Sequence, residues 1–254
     1  MKRSPLVLAA TLIFAANAAQ AHDIWITIDK AGGECRAIVN YGHPDDRPPA
    51  LADKIVDFLL LQGDKRASLI DGMTETQTGG PITVASKAFD CSHALVAVHY
   101  DNGFWVKSPS GRYINASRFS VPDATASTWS VKFAKAVTGP EAPWQSVMGH
   151  KLEIVPLADP AAKQPGDSLP VKVLFQGEPL ANIAVERTDG VTPIKEKDIP
   201  RFTTGKDGVA LVPITSRGLQ LLAVDYKVSP SKTPELADSD FYNATLSFGV
   251  EEQK

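Results

Sequence analysis

A chain of 254 residues with 26 basic and 29 acidic side chains, net charge −3, is mildly acidic and lacks the basic excess on which nucleic-acid binding depends. Its length supports one large or two small β domains with real cores. Its two cysteines are too few, and too far apart, to build a cysteine-ligated metal site.

The chain begins with Lys2 and Arg3, an apolar run from Leu6 to Ala16, and Ala19-Gln20-Ala21, the pattern of a secretory signal with a small-x-small cleavage site. Residues 1–21 are expected to be removed, which makes His22 the mature N-terminus. No later apolar run approaches the roughly 20 residues of a membrane helix, so the processed chain is expected not to span a membrane. In an exported chain Cys35 and Cys91 are expected to form one disulfide.

Strand signals follow at Ile24–Asp29, Cys35–Tyr41, Ile55–Gln62, Ala94–Tyr100, Gly103–Lys107 and Thr125–Val137, short β-branched or aromatic runs bounded by Gly, Asp or Pro. Leu51–Leu61 reads ambiguously, with Val56, Phe58 and Leu60 favouring strand. Gly32-Gly33 and Gly63-Asp64 mark turns. Thr138-Gly139-Pro140-Glu141-Ala142-Pro143 reads as a linker, which places a first β domain at 22–137, a linker at 138–150 and a second β domain at 151–254. The second series is Lys151–Pro156, Leu169–Phe175, Ile183–Arg187, Val209–Pro213, Leu219–Tyr226 and Ala244–Val250. The expected fold is all-β, two immunoglobulin-like β-sandwich domains in tandem after a cleaved signal peptide.

Five histidines remain as chemistry-bearing residues: His22, His43, His93, His99 and His150. A mature N-terminal histidine offers two nitrogens, the α-amine and ring Nδ1, that close one chelate ring on a metal. A hairpin through Gly32-Gly33 brings the start of its first strand beside the end of its second, so His22 is expected next to Gly42 or His43. His43 and His99 each lie eight residues beyond a cysteine. If the disulfide-bearing strands run in the same direction in facing sheets, as in immunoglobulin-like sandwiches, His99 emerges at the same end. The expected site is therefore mononuclear, built from the His22 amine and the rings of His22, His43 and His99. Asp23 and Asp101, with Asp45 and Asp46, are the carboxylates placed to orient the rings. Nitrogen donors of this type suit nickel, cobalt, copper or zinc rather than calcium or magnesium, and a tetragonal set favours Cu(II) or Ni(II). The plainer readings stand beside these: His43 as a turn residue, His99 as an ordinary strand residue, His93 and His150 as structural or linker residues. Hydrolase elbows, zinc-protease motifs and phosphate-binding glycine loops are absent.

Ala21-His22-Asp23-Ile24-Trp25-Ile26, Tyr41-Gly42-His43-Pro44 and His99-Tyr100-Asp101-Asn102-Gly103-Phe104-Trp105-Val106-Lys107 together resemble a bacterial periplasmic family of unknown function, grouped with the periplasmic components of nickel and cobalt uptake systems. Leu152-Glu153-Ile154-Val155-Pro156-Leu157 with Gly166-Asp167, and Tyr242-Asn243-Ala244-Thr245-Leu246, extend the resemblance over nearly all of the mature chain. The resemblance implies a soluble periplasmic protein that binds Ni²⁺ or Co²⁺, through His22 and His43 and in third place His99, and serves a membrane uptake transporter. It implies no catalysis. The alternatives are a copper-binding protein or histidine-brace copper oxidase using the same nitrogens, and a structural binding module in which the histidines are incidental.

Overall fold

The structure is a computed structural model and describes residues 22–77 and 79–251, so the signal peptide expected at residues 1–21 lies outside the described residues. The fold is all-β, and helix among the described residues is limited to three short 3-10 turns at Ala52–Lys54, Pro160–Ala162 and Glu196–Asp198. None of these is long and apolar enough to cross a membrane.

The first strand, Asp23–Ala31, turns at Gly32 and Gly33 and returns as Glu34–Gly42. Both turn residues have positive φ, 61° and 88°, the two-residue geometry whose twist matches antiparallel strands and which glycine adopts without penalty. The turn fixes the register: Ala31 faces Glu34, and eight steps further Asp23 faces Gly42. The hairpin continues into a five-stranded sheet through Thr83–Ala85 and Thr74–Thr76, with Phe89–Asp90 paired alongside Cys35.

A nine-stranded sheet forms the middle of the molecule. It runs from Arg201–Thr203 through Ala184–Thr188, Gly218–Val228, Ser239–Val250, Ala126–Val137, Ala94–Lys107 and Ile55–Gln62 to Lys65–Ser68. Tyr113–Ile114 pairs off the Ala94–Lys107 strand. The expected strands Ala94–Tyr100 and Gly103–Lys107 are one, kinked where Asp101 pairs with Val131 and Gly103 with Ser130, so that Asn102 bulges out. Ala126–Val137 lies parallel to Ser239–Val250, from Thr128 against Ser239 to Val137 against Phe248. The sheet therefore continues across residues 138–150, and the two sandwiches expected in tandem share their middle layer.

Alternation along the central strands sends successive side chains to opposite faces, each covered by another layer. Val96, Val98, Tyr100, Ala134 and Ala136 bury against Ile24, Ile26, Val39 and Tyr41 of the N-terminal sheet. Leu95, Ala97, Val131, Phe133 and Leu246 bury against Leu152, Ile154, Val171 and Val173, which belong to the four-stranded sheet of Leu152–Pro156, Ser168–Phe175, Glu178–Pro179 and Val209–Pro213.

Cys35 and Cys91 form the expected disulfide, with Cα atoms 5.0 Å apart. It does not bridge facing sheets. Phe89–Asp90, which leads into Cys91, pairs with the strand that carries Cys35, so the bond closes a connection at the edge of the N-terminal layer.

Candidate metal centre at the end of the N-terminal hairpin

The hairpin register continues one step past Asp23 and Gly42, setting His22 beside His43, with ring centroids 5.3 Å apart. Just beyond the hairpin, residues 43–46 form a tight turn closed at both ends: the His43 amide donates to the Asp46 carbonyl at 2.8 Å and the Asp46 amide to the His43 carbonyl at 3.2 Å. That turn carries two of the site's groups. It holds the His43 ring and swings the Asp46 carboxylate under His22, where Oδ2 lies 2.9 Å from His22 Nε2. Tyr41 supplies an edge-on wall, its ring 5.3 Å from that of His22 and stacked on Tyr100 at 5.7 Å.

The two imidazoles are prepared differently. With Nε2 engaged by a carboxylate, His22 presents Nδ1, the nitrogen able to share a chelate ring with its own α-amine. His43 Nε2 is buried and has no hydrogen-bond partner. Burial, the neighbouring His22 and Lys132 lower the His43 pKa, which keeps its ring neutral and a lone pair available. An orphaned buried nitrogen is costly in a folded protein unless it has a purpose, and a metal ligand is one. His43 also borders a cleft between Trp25 and Pro44 on one side and Glu186, Thr188 and Ala223 on the other, so the C-terminal half walls the site.

Among the described residues no three His, Cys, Asp or Glu side chains gather closely enough to hold a metal ion by themselves. Side chains thus bring two imidazoles together here, those of His22 and His43.

His99 is not part of this group. Its ring lies tilted against that of Phe133, centroids 4.9 Å apart, and the two residues pair across the strands, on the face covered by the C-terminal sheet, whereas His22 and His43 lie on the opposite face with Lys132. The level along the strand matches, because Tyr100 stacks on Tyr41, two residues before His43. The face does not. Counting parity from Cys91 to His99 crosses His93, whose φ of 53° breaks the alternation before the strand begins at Ala94. Burial lowers the His99 pKa, and its nearest charges are Asp101, Asp57 and Lys232.

Of the four carboxylates expected to orient the rings, Asp101 and Asp23 are engaged elsewhere. Asp101 Oδ1 accepts from Trp129 Nε1 and from the Gly103 amide, each at 2.9 Å, and so pins the bulge. Asp23 points into the central sheet, where Asn243 Nδ2 donates to it at 2.8 Å. The one that reaches a ring, that of His22, is Asp46, also among the expected carboxylates. Its side chain is 72% exposed, so its contribution is modest. Asp46→Ala is expected to weaken metal affinity about tenfold, the lower end for loss of a ligand-orienting carboxylate, measured by competition with a chromophoric chelator; unchanged affinity would remove Asp46 from the site.

His93 and His150 lie away from the site. His93 faces the exposed carboxylate of Glu141. His150 stacks on Phe133 at 4.8 Å, and burial, with help from Lys135 and His99, pushes its pKa down to about 3. A histidine whose folded pKa lies below its unfolded value supports folding fully above the unfolded pKa and loses that support as pH falls towards the folded one. Stability is therefore expected to fall as pH drops from about 6.5 to about 3, by at most about 1.4 kcal/mol per pH unit from this residue. His150→Gln should flatten that limb in urea titrations, and an unchanged slope would contradict the assignment.

The family model described as "Domain of unknown function (DUF4198)" matches residues 19–228 of the chain. A protein of Haemophilus influenzae with the printed name "Uncharacterized protein" is 28% identical over 211 residues, covering 81% of this chain and 86% of the relative. The hairpin, the turn that carries His43 and Asp46, and the strands Ala94–Lys107 and Ala126–Val137 fall within the matched residues, Ser239–Val250 lies beyond them, and the chain belongs to the DUF4198 domain family.

Proposed function

We propose that the processed protein is a periplasmic transition-metal-binding protein that holds one ion through the α-amine and Nδ1 of His22 and Nε2 of His43. The observation that carries this reading is the pairing of a carboxylate on His22 Nε2 with an orphaned, buried Nε2 on His43, 5.3 Å ring to ring. The cargo assigned first is Ni²⁺ or Co²⁺, bound for delivery to a membrane uptake transporter, with no catalytic step. The chemistry the ion adds is ligand exchange, which lets it be taken up and handed on. The rest is supplied by the protein: two nitrogens on one residue, a third across the hairpin and a rigid β scaffold beneath them.

A second reading, copper, gains from the loss of His99. Three nitrogens in place of four leave a sparser set, and Cu²⁺ heads the affinity order for any nitrogen site. The same titration separates the two readings. Protein purified from periplasm, with His22 confirmed as its first residue by mass spectrometry, is titrated with Ni²⁺, Co²⁺, Cu²⁺ and Zn²⁺. One-to-one binding by the processed form, and much weaker binding by a form with Met ahead of His22, is the expected result. Equal binding by both forms would remove the amine from the site, and binding by neither would overturn the function. Oxygen consumption by a copper-loaded form with a reductant would turn the reading towards an oxidase.

A further inference from the structure

We propose that Lys132 is a positioning residue for the His22 chelate, gripping the main chain of the terminal residue so that amine and ring arrive already aimed. This rests on the metal reading of His22 and adds to it a residue outside the donor set. The first strand is an edge strand, and its outward carbonyls would lack partners in the sheet. Side chains of the central sheet take them at every second residue. Ser247 Oγ donates to the Ile26 carbonyl at 2.5 Å, Thr245 Oγ1 to the Ile24 carbonyl at 2.7 Å, and Lys132 Nζ to the His22 carbonyl. The period is that of a strand, and the ladder climbs to the mature terminus and stops there.

The last rung differs from the others. Two rungs are hydroxyls, while the third is an ammonium only 1% exposed, a costly group to bury where a hydroxyl or amide serves the ladder below. Its charge is met by Asp23 and Asp225, whose carboxylates are bridged by Asn243 Nδ2 at 2.8 Å each. Lys132 and Asn243 face one another across the parallel strands. A lysine, two carboxyl groups and an amide thus converge beside the peptide joining His22 to Asp23. Chain termini usually fray. Here the carbonyl is held, and the carbonyl, amine and side chain of His22 share one Cα, so fixing the first limits the other two. Pre-ordering the chelate lowers the entropy lost when the ion binds.

The test compares Lys132→Met, Lys132→Arg and Thr245→Val in the processed protein. Lys132→Met paired with Asp225→Asn is made alongside, so that relief of the opposing charge keeps a folded variant in hand. Three quantities are read: Cu²⁺ affinity, the Cu²⁺ electron paramagnetic resonance spectrum, and the backbone order parameter of the Asp23 amide in metal-free protein. Loss of Lys132 is expected to weaken binding by about ten- to a hundredfold, to split the spectrum into more than one species and to lower the order parameter. Lys132→Arg should restore a single species. Thr245→Val removes a comparable rung away from the terminus and should lower the melting temperature with affinity and spectrum intact. A folded Lys132→Met or double variant with wild-type affinity, spectrum and order would overturn the role of Lys132 alone. Equal loss of binding in Thr245→Val would reduce Lys132 to one structural rung among three. Absence of binding by the wild-type processed protein would overturn the metal reading and this inference with it.

Discussion

Exchange of His22 for alanine in the processed protein is expected to lower transition-metal affinity by at least about a hundredfold, more than loss of any group that merely orients a ligand. Alanine keeps the α-amine and leaves His43 untouched, so what disappears is one donor and the chelate ring it closes. The remaining amine and His43 Nε2 would each bind as a single donor, from two strands that no longer share an ion on one residue. His22 is partly exposed and lies outside the strand, and its ring is absent from the buried clusters, so the fold should survive. Calorimetric titration with Ni²⁺ and Cu²⁺ reads the affinity, and thermal unfolding checks the fold. His43→Ala is a different loss, because it removes a half-buried ring and opens space against the hairpin. A His22→Ala protein that binds one equivalent as tightly as the parent would end the claim that the mature terminus is a ligand.

The parts of the site visible in the sequence were those set by local rules. Gly32-Gly33 dictates a two-residue turn, the turn dictates the register, and the register puts His22 against His43 with no knowledge of the remaining fold. The strands Ile55–Gln62 and Val209–Pro213 were legible for the same reason, since alternation and turn residues are written within each segment. His99 depended on more distant facts. Its placement needed the disulfide to bridge facing sheets and the count from Cys91 to stay in phase. Instead Cys91 follows a strand paired with the Cys35 strand, and His93 turns the chain over. The shared strand direction, taken from the immunoglobulin-like expectation, agrees with the level at which Tyr100 meets Tyr41, and the face does not.

The parallel pairing of Ala126–Val137 with Ser239–Val250 carried no local mark, because its partners are more than a hundred residues apart. Its trace in the sequence is the alternation of Asn243, Thr245 and Ser247 with Tyr242, Ala244 and Leu246. Half of that strand looks polar enough for solvent, yet all six residues are buried. The polar half faces the first strand, Thr245 and Ser247 donating to its carbonyls and Asn243 to the Asp23 side chain, so a pattern that ordinarily marks an exposed face here marks an internal seam. Lys132 was hidden for a similar reason: a lysine in a strand is usually solvated, and only the seam explains its burial.

Gly42→Ala should disable the site through the backbone alone, without touching any donor. Gly42 has φ of 114°, and a Cβ there would meet the Asp46 carbonyl oxygen at 2.2 Å, Arg47 Cα at 2.8 Å and Pro48 Cδ at 2.9 Å. These contacts are backbone or ring atoms, so no side chain can swing aside to relieve them. The only escape is to open the turn, which breaks the paired His43–Asp46 hydrogen bonds and moves His43 and the Asp46 carboxylate together. Backbone strain and the enforced shift are expected to cost about 2–4 kcal/mol, or roughly 5–10 °C in Tm for a domain of this size. Metal affinity should fall by more than the tenfold expected of Asp46→Ala, since two groups are displaced at once. Gly33→Ala is the matched control, at φ of 88° with nothing within 4 Å of the added carbon. It carries the conformational penalty without the collision, so it should lower Tm and leave the affinity alone. If Gly42→Ala binds the ion as the parent does, the turn is not what brings His43 to His22. If Gly33→Ala loses affinity to the same degree, the hairpin as a whole, rather than the 43–46 turn, sets the geometry of the site.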